Sequence, residues 1–335
     1  MLTQNNAQGA CDMGSLSEFL PGYERVDDEK ARRRFEEIWE RKLPDKPGLT
    51  YREMFDTLLE GKIKALYVFG EDHLITLPNL ERLKNGLRQL EFLVVQDQFM
   101  THIGSYAHVI LPGVSFAEKD GTFTSMERRI QRVRKAIAPV GDARPDGEIF
   151  CDLSAKMGYR MNDGSPAGVM EEIATLVPLY AGVSYAGLEK GGIQWPLKNG
   201  RKRKFFPVEH REPVEKPDDR YPLWIIPRGF HYHYGIGTTV KLAEGLAKVF
   251  PESRIEVHPE DAKHAGIEEG DRVKVISPRG EVETLCHISK GLPKGVAYLA
   301  TTFFPVFSNN LLISGREAMN PHPEYKVLIG RVEKR

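Results

Sequence analysis

The sequence predicts a mixed α/β chain, a parallel α/β domain followed by a small β-barrel. Between residues 64 and 112, short and nearly continuous apolar strands alternate with helical stretches. That alternation belongs to a parallel sheet covered on both faces. From residue 221 onward, five short strands are separated by turns and accompanied by one short helix, the pattern of a small barrel. The chain has 335 residues, 41% apolar and 28% charged, enough for two or three domains with buried cores.

The elements follow in order. The first twenty residues are rich in Gln, Asn, Gly and Ala and read as a loop rather than a domain start. Residues 27–43 are densely charged with apolar Phe35, Ile38 and Trp39 at helical spacing, a surface helix ending near Pro44. A second helix covers 50–60, capped by Thr50 with Glu53 at the capping-box spacing. Strands are expected at 64–70, 91–97 and 108–112, with an amphipathic helix at 79–90 and a helical turn or two at 101–107. Ligands of such sheets bind beyond the carboxyl ends of the strands, where Gly70, Glu71 and Asp72 fall, as do Gln96 and Asp97.

Residues 121–134 are dense in arginine, and 146–158 form a helix with Ile149, Phe150, Leu153 and Met157 on one face. Residues 162–216 hold many glycines and prolines and read as a linker. The barrel strands are 223–227, 254–258, 272–277, 281–288 and 296–301, with a helix at 259–265 closed by Gly266. The expected organisation is therefore an N-terminal loop and helical segment (1–60) that completes a partner's domain, an α/β domain (61–160), a linker (161–216) and the barrel (217–335).

Lysine plus arginine and aspartate plus glutamate number 47 each, so no global field recruits nucleic acid. The basic runs 128–135 and 201–204 lack interleaved stacking aromatics, and a structural or solvated role fits them better. No apolar run approaches the ~20 residues that span a bilayer, so no membrane insertion is expected. The N-terminus lacks the pattern of a secretory signal, and a cytoplasmic setting is expected. Cys11, Cys151 and Cys286 are far apart, which suits buried packing better than a self-contained metal or iron–sulfur site.

Five stretches stand out in order: QNNAQGACDMGSLSEFLPGY (4–23), GED (70–72), FLVVQDQFMT (92–101) and HVILPGVSFAEKDGTFTSMERRIQRVRKA (108–136), continued by GDARPDGEIF (141–150). Together they resemble the formate dehydrogenase catalytic (alpha) subunits of the molybdopterin oxidoreductases. GIQWPLKNGRKRKFFPVEHREPVE (192–215) resembles the family's connector. HPEDAKHAGIEEGDRVKVISPRGEVE (258–283) and NLLISGREAMNPHPEYKV (310–327) resemble its dinucleotide-binding barrel. The resemblance runs nearly end to end. It implies that the α/β domain is Rossmann-like and that the barrel is of the six-stranded, double-psi type.

The resemblance also implies a cofactor: molybdenum or tungsten held by two molybdopterin guanine dinucleotides, shared here with a partner chain. Such a ligand needs N–H donors for pyrophosphate, carboxylates for guanine and polar contacts to the pterin. Gln4 and Asn5 belong to the family loop nearest the reactive centre. Asp97, beside Gln96, offers its carboxylate to a guanine edge; a turn-forming Asp capping the next helix is the other reading. Asp72 and Thr76 suit ribose or phosphate, or an N-cap. Asp146 matches the family's guanosine-contacting aspartate, and a plain N-cap also explains it. In the barrel, Arg228, His231 and His233 lie on a loop that corresponds to one wrapping the pterin. Asn310, Tyr325 and Lys326 carry over in the same way, Tyr325 as a stacking face and Lys326 as a charge for phosphate. Ser115 and Glu118 are expected to be structural. The family has Asp at His108 and a bulky aromatic at Gly147.

The family subunit is about twice this long. Its N-terminal half carries an iron–sulfur cluster and the metal-ligating residue, and an arginine precedes the Gln of QNN, where this chain has Leu2. The resemblance therefore implies the C-terminal section of a formate dehydrogenase-like enzyme, inactive alone. It carries no cluster of its own and assembles with a polypeptide bearing the other half and with electron-transfer subunits. The reaction implied is the two-electron oxidation of formate to carbon dioxide. The alternative is a non-catalytic molybdopterin-dinucleotide-binding or scaffold module.

Overall fold

A computed structural model describes residues 5–76, 80–161, 164–195, 207, 213, 215–228, 243–249, 251–300 and 327–335. The chain divides into two compact units, Met1–Glu71 with Leu90–Phe206, and Asp72–Gln89 with Pro207–Arg335. Residues 72–89, expected within the α/β domain, thus group with the second unit.

The first unit opens with α1 (Ala7–Asp12), a short hairpin of β1 (Phe19–Leu20) and β2 (Glu24–Arg25), and α2 (Glu29–Trp39). The Asp28 carboxylate accepts from the Lys30 and Ala31 amides and starts α2, and Glu40 ends it in a left-handed turn, φ 49°. The capping box expected of Thr50 and Glu53 starts α3 (Tyr51–Leu59). Next come β3 (Ala65–Phe69), then α4 (His73–Thr76) and α5 (Leu80–Arg88) of the second unit, then β4 (Phe92–Asp97) and β5 (Val109–Pro112). The three strands form a parallel sheet in the order β3-β4-β5. A single 3-10 turn, Ile103–Tyr106, stands where a helical turn or two is expected.

The arginine-dense stretch is a hairpin, β6 (Gly121–Thr124) and β7 (Arg129–Val133), which periodicity alone does not reveal. Its cations are used within the unit. Arg132 and Arg134 pair with Glu189, and Arg132 and Arg128 lie 4.0 and 4.7 Å from the ring centres of Tyr185 and Trp195. Helix α6 (Asp146–Lys156) buries Ile149, but Met157, expected on the same face, lies past its end and is 77% exposed.

The segment expected as linker is not all loop. It holds α7 (Pro166–Leu176), α8 (Tyr185–Leu188) and β8 (Ile193–Gln194), which pairs with β7. Met170, Leu176, Val177, Tyr180, Val183 and Leu188 share a core with Leu20, Phe35 and Ile130. Its glycines and prolines punctuate a packed layer, because the apolar residues between them recur often enough to be buried. The N-terminal segment likewise packs on residues of this chain through Leu20 and Phe35.

The second unit is a closed barrel of β9 (Leu223–Arg228), β10 (Arg254–Val257), β11 (Arg272–Ser277), β12 (Gly280–Ile288), β13 (Val296–Ala300) and β14 (Leu328–Lys334), in the order β10-β12-β11-β14-β9-β13. The first five are expected from the sequence; β14 completes the six. Helix α9 (Glu244–Val249) precedes β10, and α10 (Pro259–His264) follows it, closed by Gly266 at φ 65° as expected. Alternate residues point inward, so Ile225, Ile255, Val273, Val275, Ala297 and Leu299 are fully buried. Cys286 belongs to this core, where burial pushes its thiol up to about 11. No disulfide joins it to Cys11 or Cys151. Among the described residues, no helix is long and apolar enough to cross a membrane.

Candidate functional site at the carboxyl ends of the parallel strands

Strand β4 is the central one, with apolar Phe92 to Val95, and its last two residues are polar: Gln96 is fully buried, and Asp97 half-buried. Burying an amide is tolerable only when its hydrogen-bonding groups are paired. The Gln96 Oε1 accepts from the Tyr67 hydroxyl on the neighbouring strand β3. The Gln96 Nε2 donates to Asp146 Oδ1 at 2.8 Å. The other oxygen, Asp146 Oδ2, accepts from the Lys119 ammonium. Four side chains from β3, β4, the 116–120 loop and the start of α6 therefore form one polar chain. Burial, and then the charge of Asp146, raise the Tyr67 hydroxyl above the ordinary tyrosine range.

Asp146 is not an N-cap. Pro145 holds that position without a side-chain bond, and the Asp146 carboxylate turns toward Gln96 and Lys119. A negative charge in the first turn of α6 is also favoured by the helix dipole. Asp97 realises the turn-forming reading for one oxygen, since its Oδ1 accepts from the Phe99 amide at 3.1 Å. The Gly113 amide donates to the Asp97 carbonyl at 3.0 Å. A Cβ at Gly113 would stand 2.9 Å from Asp146 Oδ1 and so displace that carboxylate. Ser115 and Glu118 are structural as expected: the Glu118 carboxylate accepts from the Ser115 and Val140 amides at 2.8 and 2.9 Å.

The polar N-terminal loop is pinned to β6. Asn6 adopts a left-handed conformation, φ 59°, and its Oδ1 accepts from the Thr124 amide at 2.9 Å. A Cβ at Gly9 would come within 2.2 Å of that Oδ1, so glycine is required there. Asp12, fully buried, accepts from Gln8 Nε2 at 2.7 Å and from the Tyr180 hydroxyl at 2.8 Å. Burial and then the Asp12 charge push the Tyr23 hydroxyl up to about 12. These bonds fix the backbone that carries Asn5.

The structure thus brings together Gln96, Asp97 and Asp146, while Asn5 lies on the pinned loop of the same unit. Tyr67, Lys119 and Gly113 join the cluster without having been singled out; the signal was their place in strand β3 and in the long stretch 108–136. In the second unit, Asp72 is 5% exposed, and its carbonyl accepts from the Ile75 amide. Thr76 ends α4, with its side chain outside the described residues. Arg228 closes β9, 3.9 Å from Glu256 and over the Tyr298 ring at 5.1 Å. Gln4, His231, His233, Asn310, Tyr325 and Lys326 lie outside the described residues.

Of the three departures from the family pattern, Leu2 lies outside the described residues, Gly147 directly follows Asp146 in the chain, and His108 stands at the other end of the sheet. His108 precedes β5 at the amino end of the sheet, where its Nδ1 accepts from the Leu93 amide at 2.9 Å. Among the described residues, a Cβ at Gly147 would meet the Gly164 carbonyl, at an ordinary 3.7 Å.

The donor set suits the guanine end of a dinucleotide. Carboxylates accept from guanine N1–H and N2–H, an amide or ammonium donates to O6 or phosphate, and a glycine lets the backbone approach. Among the described residues, no group of three His, Cys, Asp or Glu side chains could hold a metal ion.

Comparison with known proteins agrees with the geometry. Residues 2–156 match the family model described as molybdopterin oxidoreductase, and residues 223–329 match the molydopterin dinucleotide binding domain. The chain is 38% identical to the F420-dependent formate dehydrogenase subunit alpha of Methanocaldococcus jannaschii, over 99% of this chain and 52% of that protein. It is 37% identical to the F420-dependent formate dehydrogenase 2 subunit alpha of Methanococcus maripaludis, with the same coverage. Among solved structures, acetylene hydratase from Pelobacter acetylenicus shares the fold, with a TM-score of 0.68 over 92% of this chain and 50% of that one, at 16% identity. The chain spans about half the length of these relatives.

Proposed function

The chain belongs to the molybdopterin oxidoreductase family, and on that premise we propose that it is the cofactor-gripping C-terminal section of a formate dehydrogenase-like enzyme. The cofactor is a molybdenum or tungsten ion carried by two molybdopterin guanine dinucleotides and shared with a partner polypeptide. That partner supplies the iron–sulfur cluster and the metal-ligating residue, and further subunits carry electrons away. The bound metal centre supplies the two-electron chemistry, in which formate gives carbon dioxide, two electrons and a proton. This chain's residues bind and orient. Asp97 and Asp146 accept the guanine N–H groups, and Lys119 exchanges its bond to Asp146 for one to guanine O6 or phosphate. Gln96, held by Tyr67, fixes the Asp146 carboxylate, and Asn5 faces the reacting region from its pinned loop. Residues 61–160 and the barrel from 217 onward each grip cofactor, with Asp72, Thr76 and Arg228 contributing from the second unit.

The observation that carries this reading is the convergence of Gln96, Asp146 and Lys119 on the Gly113 turn at the carboxyl end of a parallel sheet. Titrating the full chain with GMP and with CMP tests it by calorimetry. GMP is expected to bind the more tightly, and Asp146→Asn to weaken it by roughly tenfold or more, as the loss of a charge-assisted bond does. Equal affinity for the two nucleotides, or an indifferent variant, refutes the assignment of the guanine site. Purification from native cells tests the rest: molybdenum or tungsten and a cluster-bearing polypeptide are expected to accompany the chain.

A further inference from the structure

A carboxylate that recognises the two neighbouring N–H groups of guanine needs both of its oxygens. Both oxygens of Asp146 are already engaged by this chain. Its Oδ1 accepts from Gln96 Nε2 at 2.8 Å, and its Oδ2 accepts from the Lys119 ammonium. The two donors differ in how they can be released. Gln96 is 0% exposed and is held on its other side by the Tyr67 hydroxyl, so its amide stays, and Oδ1 keeps a second lone pair for a further donor. Lys119 reaches in from the 116–120 loop on a flexible four-carbon stem, and its side chain is 30% exposed against 17% for that of Asp146. Lys119 is therefore the group that must leave before a base can sit on Asp146.

Charge decides what can make it leave. Guanine offers N–H donors but carries no charge. Exchanging an ammonium for neutral donors satisfies Asp146 and strands Lys119, a partly buried cation without its anion, and breaking such a pair from one side is costly. A ligand that carries its own anion beside the base replaces both halves of the pair together, with N–H groups for Asp146 and phosphate oxygens for Lys119. Gly113 leaves room for this exchange. A Cβ there would stand 2.9 Å from Asp146 Oδ1 and 3.8 Å from the Asp97 carbonyl oxygen, so bare backbone lies beside the carboxylate.

We propose that Lys119 is a placeholder cation, paired with Asp146 until a phosphate draws it off, so that the site selects a guanosine phosphate over guanosine. The inference rests on the guanine-site reading above, and adds the second group the ligand must carry and the residue that enforces it. Lys119 weighs against any ligand that offers a base alone.

Calorimetric titration of the full chain with GMP, guanosine and CMP tests this. The unmodified chain is expected to bind GMP roughly tenfold or more tighter than guanosine, the scale of one charge-assisted bond. Lys119→Met is expected to bring the two affinities together, weakening GMP and tightening guanosine, because Asp146 Oδ2 is then open to the base from the start. Lys119→Gln keeps a neutral donor for Asp146, which guards against a folding defect, and is expected to narrow the ratio in the same direction. Lys156→Met, at the exposed far end of α6, is expected to leave the ratio as it is. The gain in guanosine affinity is the readout that a merely structural lysine does not move. A loss of GMP affinity with guanosine unchanged makes Lys119 an ordinary phosphate contact and overturns the placeholder. An equal loss for both ligands, or a ratio that stays put, overturns it too, as does an unmodified chain that binds guanosine as tightly as GMP while rejecting CMP. If GMP and CMP bind alike, the guanine site itself fails, and this inference with it.

Discussion

The barrel and the parallel sheet of this chain solve the same problem in opposite ways. Each strand of the barrel is hydrogen-bonded on both sides, the order closing from β13 back to β10, so no edge remains. Its inward residues form one core from Leu223 to Val332. Among the described residues the sheet has three strands and two outer edges, and Phe69, Phe92 and Val109 on one face are 51%, 47% and 37% exposed. The barrel closes its core on itself, whereas the sheet buries Val68, Leu93 and Val95 and leaves Phe69, Phe92 and Val109 partly in water. The difference teaches that a closed sheet protects all its inward residues, while an open one protects them unevenly.

The largest expected effect breaks this comparison most directly. Ile225 is fully buried in the barrel, and a Cβ at Gly330 would stand 2.4 Å from its Cδ1. Ile225→Ala is expected to cost about 2–5 kcal/mol, the loss of transfer energy plus a cavity. Phe92→Ala, at a side chain 47% exposed, is expected to cost about 1 kcal/mol or less, because much of the ring is already in water. Urea denaturation followed separately in each unit measures both. Similar costs would mean that the sheet face is covered after all.

A smaller effect is expected at Asp12, which holds the N-terminal loop through polar bonds rather than apolar burial. Removing its carboxylate strips the acceptor from Gln8 Nε2 and from the Tyr180 hydroxyl, both in a buried setting. Asp12→Ala is expected to destabilise the first unit by about 1–3 kcal/mol. It should also lower the Tyr23 hydroxyl from about 12 toward the ordinary tyrosine value, since Asp12 is the second cause of that shift after burial. An ultraviolet titration of the tyrosines reads this directly, and an unmoved Tyr23 would show that the loop is held some other way.

What the sequence made legible follows the same division. Alternation along Arg272–Ser277 and Gly280–Ile288 announces a barrel because each strand obeys a local rule, inward and outward by turns. The capping box at Thr50 and the glycine after α10 are local rules too, and both hold. The hairpin at 121–133 was not legible, because its inward and outward positions carry arginines whose partners, Glu189, Tyr185 and Trp195, arrive from more than fifty residues away. The packed layer at 166–188 was hidden by its glycines and prolines. At the candidate site, Gln96, Asp97 and Asp146 could be found from strand ends and the family resemblance. Tyr67 and Lys119 could not, since a strand tyrosine and a loop lysine look ordinary until the fold sets them beside a buried amide and a carboxylate.

The smallest expected effect concerns Glu118, which joins two loops of the first unit near Lys119. The backbone amide of Ser115, its largest cause, and then the Ser115 hydroxyl and the Val140 amide hold its carboxyl below the usual glutamate range. A carboxylate whose folded pKa is depressed stabilises the fold above its unfolded value, ~4.3, and loses that contribution as pH falls through the folded value. The first unit should therefore lose stability on acidification below about pH 5, and Glu118→Gln should flatten that slope while leaving the barrel's acid response unchanged. Thermal melts between pH 3 and 7, read separately in the two units, measure it. An equal flattening in both units would mean that Glu118 is not what links acid sensitivity to the sheet side of the molecule. The barrel's acid response has its own sources. Asp271, beside Lys334, and Glu269, beside His287, are likewise held low.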